Sequence, residues 1–255
     1  MPTLTKLCCG SMLFCHLIIG SAFAQPAGAD SLAPLSPDVR SAYNSALDVY
    51  HAYLSPEPGL FRGAEYGTYD FKLRSGNPYF IDKRRHPGTI VYGSVLYEHI
   101  LLQYDEVKDA LILYDASNLF KINLFPELID RFTMDAHRFI RLKDSLDPNQ
   151  PRNGFYEVLH EGGITLLKKE KKTIQEDLQS SNTVEYFIEG ADTSYYLKKN
   201  NLYYPVNNYR SLLRALKDRS RDVRKFIRSN GLSMRLDREN TLLKVTAWYD
   251  PSAAQ

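Results

Sequence analysis

Apolar and polar residues alternate over much of the chain as they do in β-strands, most clearly over 154–176. Two runs rich in β-branched and aromatic residues flank Gly162-Gly163 there, which predicts a hairpin with its turn at the glycine pair. Similar runs precede and follow it, so we expect a long β-meander over 89–206. The predicted strands are 89–97, 99–105, 110–115, 119–125, 130–134, 137–142, 153–160, 163–174, 184–190, 194–199 and 202–206.

Short connections rich in turn-forming residues link these predicted strands. Examples are 106–109, Ser117-Asn118 and Asn200-Asn201, and connections this short require antiparallel neighbours. Gly93-Ser94, by contrast, falls inside a continuous strand pattern. A sheet of about eleven strands curls or closes rather than lying flat. The sequence therefore predicts a curved sheet, a half-barrel or a barrel.

Apolar residues recur at intervals of three and four near both ends of the chain, which predicts helices. A helix over 37–54 is expected to begin after the N-cap Ser36, with Pro37 in its first position. Residues 207–250 are expected to form a helical tail, so the predicted fold class is α+β. The expected N-caps of the tail helices are Asn207 or Asn208, Ser220 and Asp237, and Gly231 is the expected C-terminal glycine.

A segment rich in glycine, proline and tyrosine, 55–88, separates the first helix from the meander. We expect a loop that covers the sheet. Two interpretations fit its tyrosines: they are buried anchors of the loop, or they form a binding surface. Residues 37–250 are predicted to form a single α+β domain, preceded by a flexible leader over 25–36.

Residues 1–24 have the pattern of a secretory signal peptide. Lys6 is followed by an apolar run that is too short to span a bilayer, and Ala22-Phe23-Ala24 fits the cleavage rule. We expect cleavage before Gln25 and export, with an uncleaved membrane anchor as the alternative. All three cysteines lie in this segment. The mature chain is therefore expected to lack disulfides and thiolate ligands.

The charges of the two halves of the chain nearly cancel. Residues 25–150 carry 13 Lys or Arg against 17 Asp or Glu, and residues 151–255 carry 18 against 13. This balance, together with the predicted export, argues against nucleic acid as a partner. The mature chain also has no apolar run of the length of a transmembrane helix.

The strongest charge bias lies in the predicted helical tail. Between Tyr209 and Asn240 there are ten Lys or Arg and four Asp or Glu. Two interpretations fit: a patch for anionic lipid headgroups or an acidic envelope polymer, or a solvated outer face of helices whose leucines face the sheet. The residues of the candidate patch are Arg214, Lys217, Arg221, Arg224, Lys225 and Arg228.

The sequence has few of the patterns that enzymes need. It lacks a G-x-S-x-G elbow and a phosphate-binding glycine loop, so we assign no catalytic residue and expect no cofactor. A metal site would require His99 and His160 to meet across the sheet with a third ligand, and we predict no such site. Pairs of carboxylates at turns keep hydrolytic chemistry open.

Segments 93–113, 154–177 and 195–232 together resemble a family of uncharacterised exported proteins of Gram-negative bacteria. The resemblance extends over about residues 60–250. It implies an envelope location and a single domain, and it carries no activity, cofactor or catalytic residue. The predicted shape is also similar to the half-barrel of periplasmic lipoprotein carriers.

We therefore expect a non-enzymatic binding or structural protein of the bacterial cell envelope, located in the periplasm or at the outer membrane. Its partner would be an envelope protein, a glycan or a lipid. The first alternative is a carrier that holds a lipid or another apolar ligand within a curved antiparallel sheet. The second alternative is an envelope hydrolase.

Overall fold

A computed structural model describes residues 36, 38–42, 59–115, 119–143, 150–178 and 183–250. The chain divides into two compact units, Met1–Asn44 and Ser45–Gln255. In the first unit, residues 38–42 are helical, and the predicted cap Ser36 accepts a hydrogen bond from Val39 N at 3.4 Å through its Oγ. The predicted signal peptide, the leader up to residue 35 and the rest of helix 37–54 lie outside the described residues.

The described part of the second unit consists of strands followed by helices. The strands are β1 (Gly63–Glu65), β2 (Leu73–Ser75), β3 (His86–Tyr92), β4 (Val95–Asp105), β5 (Ala110–Tyr114), β6 (Lys121–Leu124), β7 (Ile129–Met134), β8 (His137–Leu142), β9 (Gly154–His160), β10 (Thr165–Lys172), β11 (Gln175–Leu178), β12 (Val184–Phe187), β13 (Ala191–Lys199) and β14 (Leu202–Pro205). The helices are α1 (Tyr209–Ala215), α2 (Ser220–Ser229) and α3 (Arg238–Tyr249), with 3-10 turns at Pro126–Leu128 and Lys217–Arg219.

Eleven strands form one sheet in the order β1-β6-β5-β4-β3-β7-β8-β9-β10-β13-β14. Every neighbouring pair in this sheet is antiparallel. The predicted α+β fold with a large antiparallel sheet is therefore confirmed. The sheet is curved but not closed, because the first and last strands of the order do not pair. A smaller sheet has the order β11-β12-β2.

The boundary between the first two predicted strands, 89–97 and 99–105, is wrong. Gly93 and Ser94 form the turn between β3 and β4, with φ angles of 57° and 67°. Two consecutive left-handed residues are typical of a type I′ turn, whose twist suits a hairpin. The residues on either side of this turn belong directly to the paired strands. The strand pattern therefore continues through the turn without a break.

Two further predictions about the sheet are wrong. The predicted strand 184–190 does not belong to the meander: β12 lies in the smaller sheet and pairs with β2 in parallel. Residues 55–88 are not all loop, since β1 pairs with β6 at the edge of the large sheet. Both β1 and β2 have three residues. Strands this short carry too little alternation to be recognised in a sequence.

One face of the large sheet carries an aromatic cluster, which consists of Phe80, Tyr104, Phe132, Phe139 and Phe155. Its contacting rings have centroids 4.6 to 6.5 Å apart. Phe132 and Phe139 stack almost in parallel, while Phe155 meets Tyr104 edge to face. Such pairs stabilise beyond the burial of their area. Four of the rings come from β4, β7, β8 and β9, and Phe80 comes from the loop that precedes β3. Their packing holds these elements together.

The C-terminal helices cover another part of the same face. Leu166 of β10 and Leu197 of β13 pack with Leu212, Val223 and Leu242, which come from α1, α2 and α3. All five side chains are 0% exposed. Each buried leucine or valine contributes roughly 1.5–3 kcal/mol of transfer free energy. This apolar burial fixes the helices against the sheet.

The helix ends follow the predicted caps with one exception. Asn208 caps α1 in a capping box, and the side chain of Asp237 caps α3. Gly231 follows α2 with a φ of 61° and takes part in the 6→1 and 5→2 hydrogen bonds of a Schellman motif. The predicted cap Ser220 is wrong. It is the first residue of α2, and Arg219 precedes it without a side-chain cap.

A buried carboxylate holds the loop that precedes β3. Asp105 is 0% exposed, and its Oδ2 accepts hydrogen bonds from the hydroxyls of Tyr66 and Tyr69 at 2.5 and 2.7 Å. Its Oδ1 accepts the backbone N–H groups of Val107 and Lys108. Tyr66 and Tyr69 therefore anchor the loop, as expected if its tyrosines are buried anchors and do not form a binding surface.

Two ion pairs link the turn after β4 to β10. Lys172 Nζ lies 2.9 Å from Glu106 Oε2, and Lys172 N donates to Glu106 O at 3.3 Å. Lys169 Nζ lies 2.7 Å from Asp109 Oδ1, next to the backbone of Gly154. Strands β3, β7, β8 and β9 separate β4 from β10 in the sheet. These contacts therefore depend on the curvature of the sheet.

Replacing Asp105 by Asn is expected to lower the free energy of unfolding by ~3 kcal/mol, because two buried hydroxyl donors then face an amide instead of a carboxylate. Urea denaturation measures this change. Asp130→Asn makes the same chemical change at an exposed position of β7 and should alter the free energy by less than ~0.5 kcal/mol. Equal losses for the two variants would contradict the anchoring role of Asp105.

Replacing Gly154 by Ala is expected to cost ~2 kcal/mol or more, because Gly154 has a φ of 145° that side chains rarely adopt. The added Cβ would overlap Asp109 Oδ2 and would lie 2.8 Å from Lys169 Nζ. Gly67→Ala is the matched control, since its Cβ would meet no atom within 4 Å. Thermal and urea unfolding of both variants compare the two sites. If the Gly154→Ala protein were as stable as the control, the ion pair between Lys169 and Asp109 would tolerate displacement and the expected cost would be wrong.

Candidate functional site

Three residues of the predicted basic patch line a cleft between α1 and α2. This cleft, called the basic cleft below, has a volume of about 570 Å³. Arg210 and Arg214 lie one helical turn apart on α1, and Arg224 and Arg228 lie one turn apart on α2. The i, i+4 spacing places each pair on one side of its helix. Four arginines therefore line one space, with Tyr209, Leu213 and Ser220 as the other lining residues.

The cations of the basic cleft have no acidic partners within the part of the chain that the structure describes. No ion pair there includes any of its four arginines, and all four are exposed. Other cations in or near the helical tail do have partners: Lys199 Nζ at the end of β13 lies 2.7 Å from Asp218, and the Arg219 guanidinium lies 4.6 Å from the ring of Trp248. The arginines of the basic cleft are thus not neutralised by ion pairs within the described residues.

The structure brings together half of the candidate patch and separates the rest. Arg214, Arg224 and Arg228 line the basic cleft. Arg221 and Lys225 share the exposed face of α2 but do not line the cleft, and Lys217 lies on the 3-10 turn that follows α1. Sequence reasoning missed Arg210 and Tyr209 as cleft residues. The i, i+4 pair of arginines on α1 was the signal that could have identified Arg210.

A second cleft lies where the turn after β4 meets β9, β10 and β13. It has a volume of about 450 Å³ and carries both signs of charge. Asp109 accepts hydrogen bonds from Tyr104 and Lys169 at 2.6 and 2.7 Å. Burial lowers the pKa of Lys169, against the opposing effect of Asp109. The charges deepest in this cleft are therefore paired with each other and contribute to the fold.

Between the aromatic cluster and the helix-covered cluster lies a group of buried charges. Lys168 Nζ is 3.0 Å from Glu239 and 3.1 Å from Glu170, and Glu157 lies 3.9 Å away. These hydrogen bonds raise the pKa of Lys168 in spite of its burial. The cavity beside this group is about 10 Å³, which is at the lower limit for one water molecule. The carboxylates converge here without room for a substrate.

The described histidines act as links between elements. His86 lies 2.7 Å from Asp135, His137 lies 2.5 Å from Glu157, and His160 lies 2.7 Å from Asp250 at the end of α3. His99 is exposed on β4, which β3, β7 and β8 separate from the strand of His160. Within the described residues no three His, Cys, Asp or Glu side chains are placed to hold a metal ion.

Several buried tyrosines donate their hydroxyls to carboxylates. Tyr66 and Tyr69 donate to Asp105, Tyr104 donates to Asp109 and Tyr195 donates to Glu239. Burial is the main cause that raises the pKa of each hydroxyl, and the acceptor carboxylate raises it further. These tyrosines are part of the hydrogen-bonded interior.

None of the helices within the described residues combines the length and the apolar character needed to cross a membrane. Comparison with known protein families, curated protein sequences and solved structures gives no match for this chain. The resemblance to exported proteins of Gram-negative bacteria, and the envelope location that it implies, therefore remain predictions.

The buried tyrosines predict a loss of stability at alkaline pH. Their pKa values in the folded protein lie above the ordinary value of 10.0. Below pH 10 they are neutral in both states, and their full contribution to stability is present. As the pH rises above 10, the unfolded chain loses tyrosine protons first, so the free energy of unfolding decreases.

Circular dichroism and the near-ultraviolet absorbance of tyrosinate, followed during a titration from neutral to alkaline pH, test this prediction. Unfolding and the ionisation of the buried tyrosines should occur together. Replacing both Tyr66 and Tyr69 by Phe should reduce the pH dependence, although it also lowers stability at neutral pH. Smooth ionisation of all tyrosines near pH 10 in a folded protein would contradict the raised pKa values.

Proposed function

We propose that this protein is an exported, non-enzymatic binding protein of the bacterial cell envelope, and that its basic cleft binds the phosphate groups of anionic lipids. The observation that carries the proposal is the convergence of Arg210, Arg214, Arg224 and Arg228 on one cleft without acidic partners among the described residues. Guanidinium groups bind phosphate oxygens in bidentate geometry, and several of them together hold one or two anions strongly.

Uncompensated arginines on two packed helices are costly unless they serve a ligand, because like charges repel one another. The apolar sides of α1 and α2 contain Leu212, Val223 and Ile227, which are buried in the core. The helices should therefore stay packed when the arginines on their exposed sides are replaced. Neighbouring charges that stabilise the fold, such as Lys199 and Asp218, are paired. The arginines of the cleft therefore form a group that is separate from the structural ion pairs.

The surroundings of the cleft support a lipid surface over a soluble polyanion. Leu236 lies between α2 and α3 and is 88% exposed. Its neighbours are Arg235 and Asp237, which caps α3, and Arg238 follows. An exposed apolar side chain close to basic residues is typical of proteins that lie on anionic bilayers. The export that the N-terminal pattern predicts would bring this surface to envelope membranes.

The two alternatives have less support. A lipid carrier would need a large apolar cavity within the curved sheet, whereas the aromatic rings on one of its faces pack against each other, with Tyr104 and Phe132 1–2% exposed. A hydrolase would need converging carboxylates that a substrate can reach. Glu106, Glu157 and Glu170 converge beside a cavity of about 10 Å³. These observations favour the basic cleft as the site of function.

Reversing the cleft residues Arg214, Arg224 and Arg228 to Glu is expected to weaken binding to vesicles that contain phosphatidylglycerol at least about a hundredfold at low salt, since each basic residue near such a surface contributes ~1 kcal/mol. Cosedimentation with vesicles of phosphatidylcholine, with and without phosphatidylglycerol, measures the binding of each variant. The wild-type binding should also fall toward zero near ~1 M salt, where the Debye length is ~3 Å.

The matched control reverses three exposed cations elsewhere, Arg62, Lys72 and Lys143, to Glu. Both triple variants have the same net charge, so a difference between them reports the position of the charge. If the two variants lose vesicle binding equally, the net charge of the protein is responsible and the basic cleft is not the site. If the wild-type protein does not bind the anionic vesicles at all, the proposed function is wrong.

A further inference from the structure

An apolar cavity adjoins the basic cleft. It has a volume of about 440 Å³, and Tyr209 lines both spaces. The apolar part of its lining is Ile227, Leu232 and Met234. Ile227 precedes the cleft residue Arg228 in α2. The rest of the lining of the apolar cavity is polar and consists of Asn207, Asn208, Ser233, Arg235 and Arg238. The two cavities are thus neighbours: four arginines line the first, and the second combines three aliphatic side chains with polar residues at its border.

The floor of the apolar cavity is a fixed part of the protein interior. Ile227 and Met234 are 7% and 8% exposed and belong to the cluster that packs the helices on the sheet. The chain that follows α2 is held by the Schellman motif at Gly231 and by the cap of α3 at Asp237. The cavity is therefore formed by the fold itself, as small-molecule sites usually are.

We infer that the two cavities together bind one amphiphilic molecule, with its phosphate in the basic cleft and a single alkyl or acyl chain in the apolar cavity. This inference rests on the proposed function and specifies the ligand of the same site. Charge complementarity fixes the phosphate end, because four arginines surround that space. Ile227, Leu232 and Met234 provide the apolar surface for the chain, and Tyr209, which has an apolar body and a polar tip, lines both spaces.

A series of alkyl phosphates tests the inference directly. Inorganic phosphate and butyl, hexyl and octyl phosphate, each below its micellar concentration, are titrated into the wild-type protein by calorimetry. We expect the affinity to increase about fourfold for each buried methylene until the apolar cavity is filled. Octyl trimethylammonium, which has the chain without the phosphate, should bind far more weakly than octyl phosphate.

Ser233→Trp fills the apolar cavity without removing a core side chain, because Ser233 lines it and is half-buried. This variant should bind inorganic phosphate like the wild-type protein and should lose the gain in affinity with chain length. Ser229→Trp makes the same substitution at an exposed position of α2 that does not line the cavity, and it should keep the gain. Thermal unfolding verifies that both variants fold.

The outcomes separate the inference from the proposed function. If the wild-type protein binds anionic vesicles but binds all alkyl phosphates equally, the apolar cavity does not hold the chain and the inference fails alone. The same conclusion follows if Ser233→Trp retains the gain with chain length. If neither vesicles nor any phosphate compound bind, both fail. Free phosphate as the true ligand would appear as binding of inorganic phosphate without any contribution from the chain.

Discussion

The buried carboxylate of Asp105 joins parts of the chain that backbone pairing alone would leave apart. A charge removed from water is unfavourable unless donors replace the water, and here two come from the covering loop and two from the turn after β4. The loop and the turn are therefore fixed by the same group. This turn also contains Glu106 and Asp109, which form ion pairs with Lys172 and Lys169 of β10. These ion pairs stabilise the curvature of the sheet.

Charged side chains have two distinct uses in this protein. Inside the fold, charges lie close to opposite charges: Lys168 is within hydrogen-bond distance of Glu170 and Glu239, and Glu157 is within that distance of His137. This group lies on the sheet face between the aromatic cluster and the helix-covered cluster, and it replaces apolar contact between them. In the basic cleft the opposite holds, because its four arginines take part in no ion pair among the described residues. The paired charges thus stabilise the fold, whereas the unpaired arginines of the basic cleft are available to a ligand.

Much of the fold could be predicted from local patterns. Alternation along the strands and short connections were sufficient for the antiparallel sheet, and the side chains of Asn208 and Asp237 and the glycine at 231 identified three helix ends. The turn at Gly93-Ser94 was missed because a type I′ turn needs two residues and leaves the alternation nearly continuous. The parallel pairing of β12 with β2 depends on a contact between residues far apart in sequence, and no local pattern encodes it.

The candidate site could be predicted only in part. Composition identified the basic tail, and Arg214, Arg224 and Arg228 were among the six residues of the predicted patch. That Arg210 and Arg214 face them depends on how α1 and α2 pack, which follows from the buried leucines and valine beneath them. The apolar cavity beside the cleft was not predictable, because it arises from the path of the chain between α2 and α3.

The short strands at the two ends of the large sheet limit how this protein can associate. β1 has three residues, and β14 has four and ends at Pro205, which has no N–H to donate. An incoming strand could form few hydrogen bonds at either edge, so sheet extension between molecules is disfavoured. A crowded compartment would therefore tolerate high concentrations of the folded protein without cross-β polymerisation from these edges.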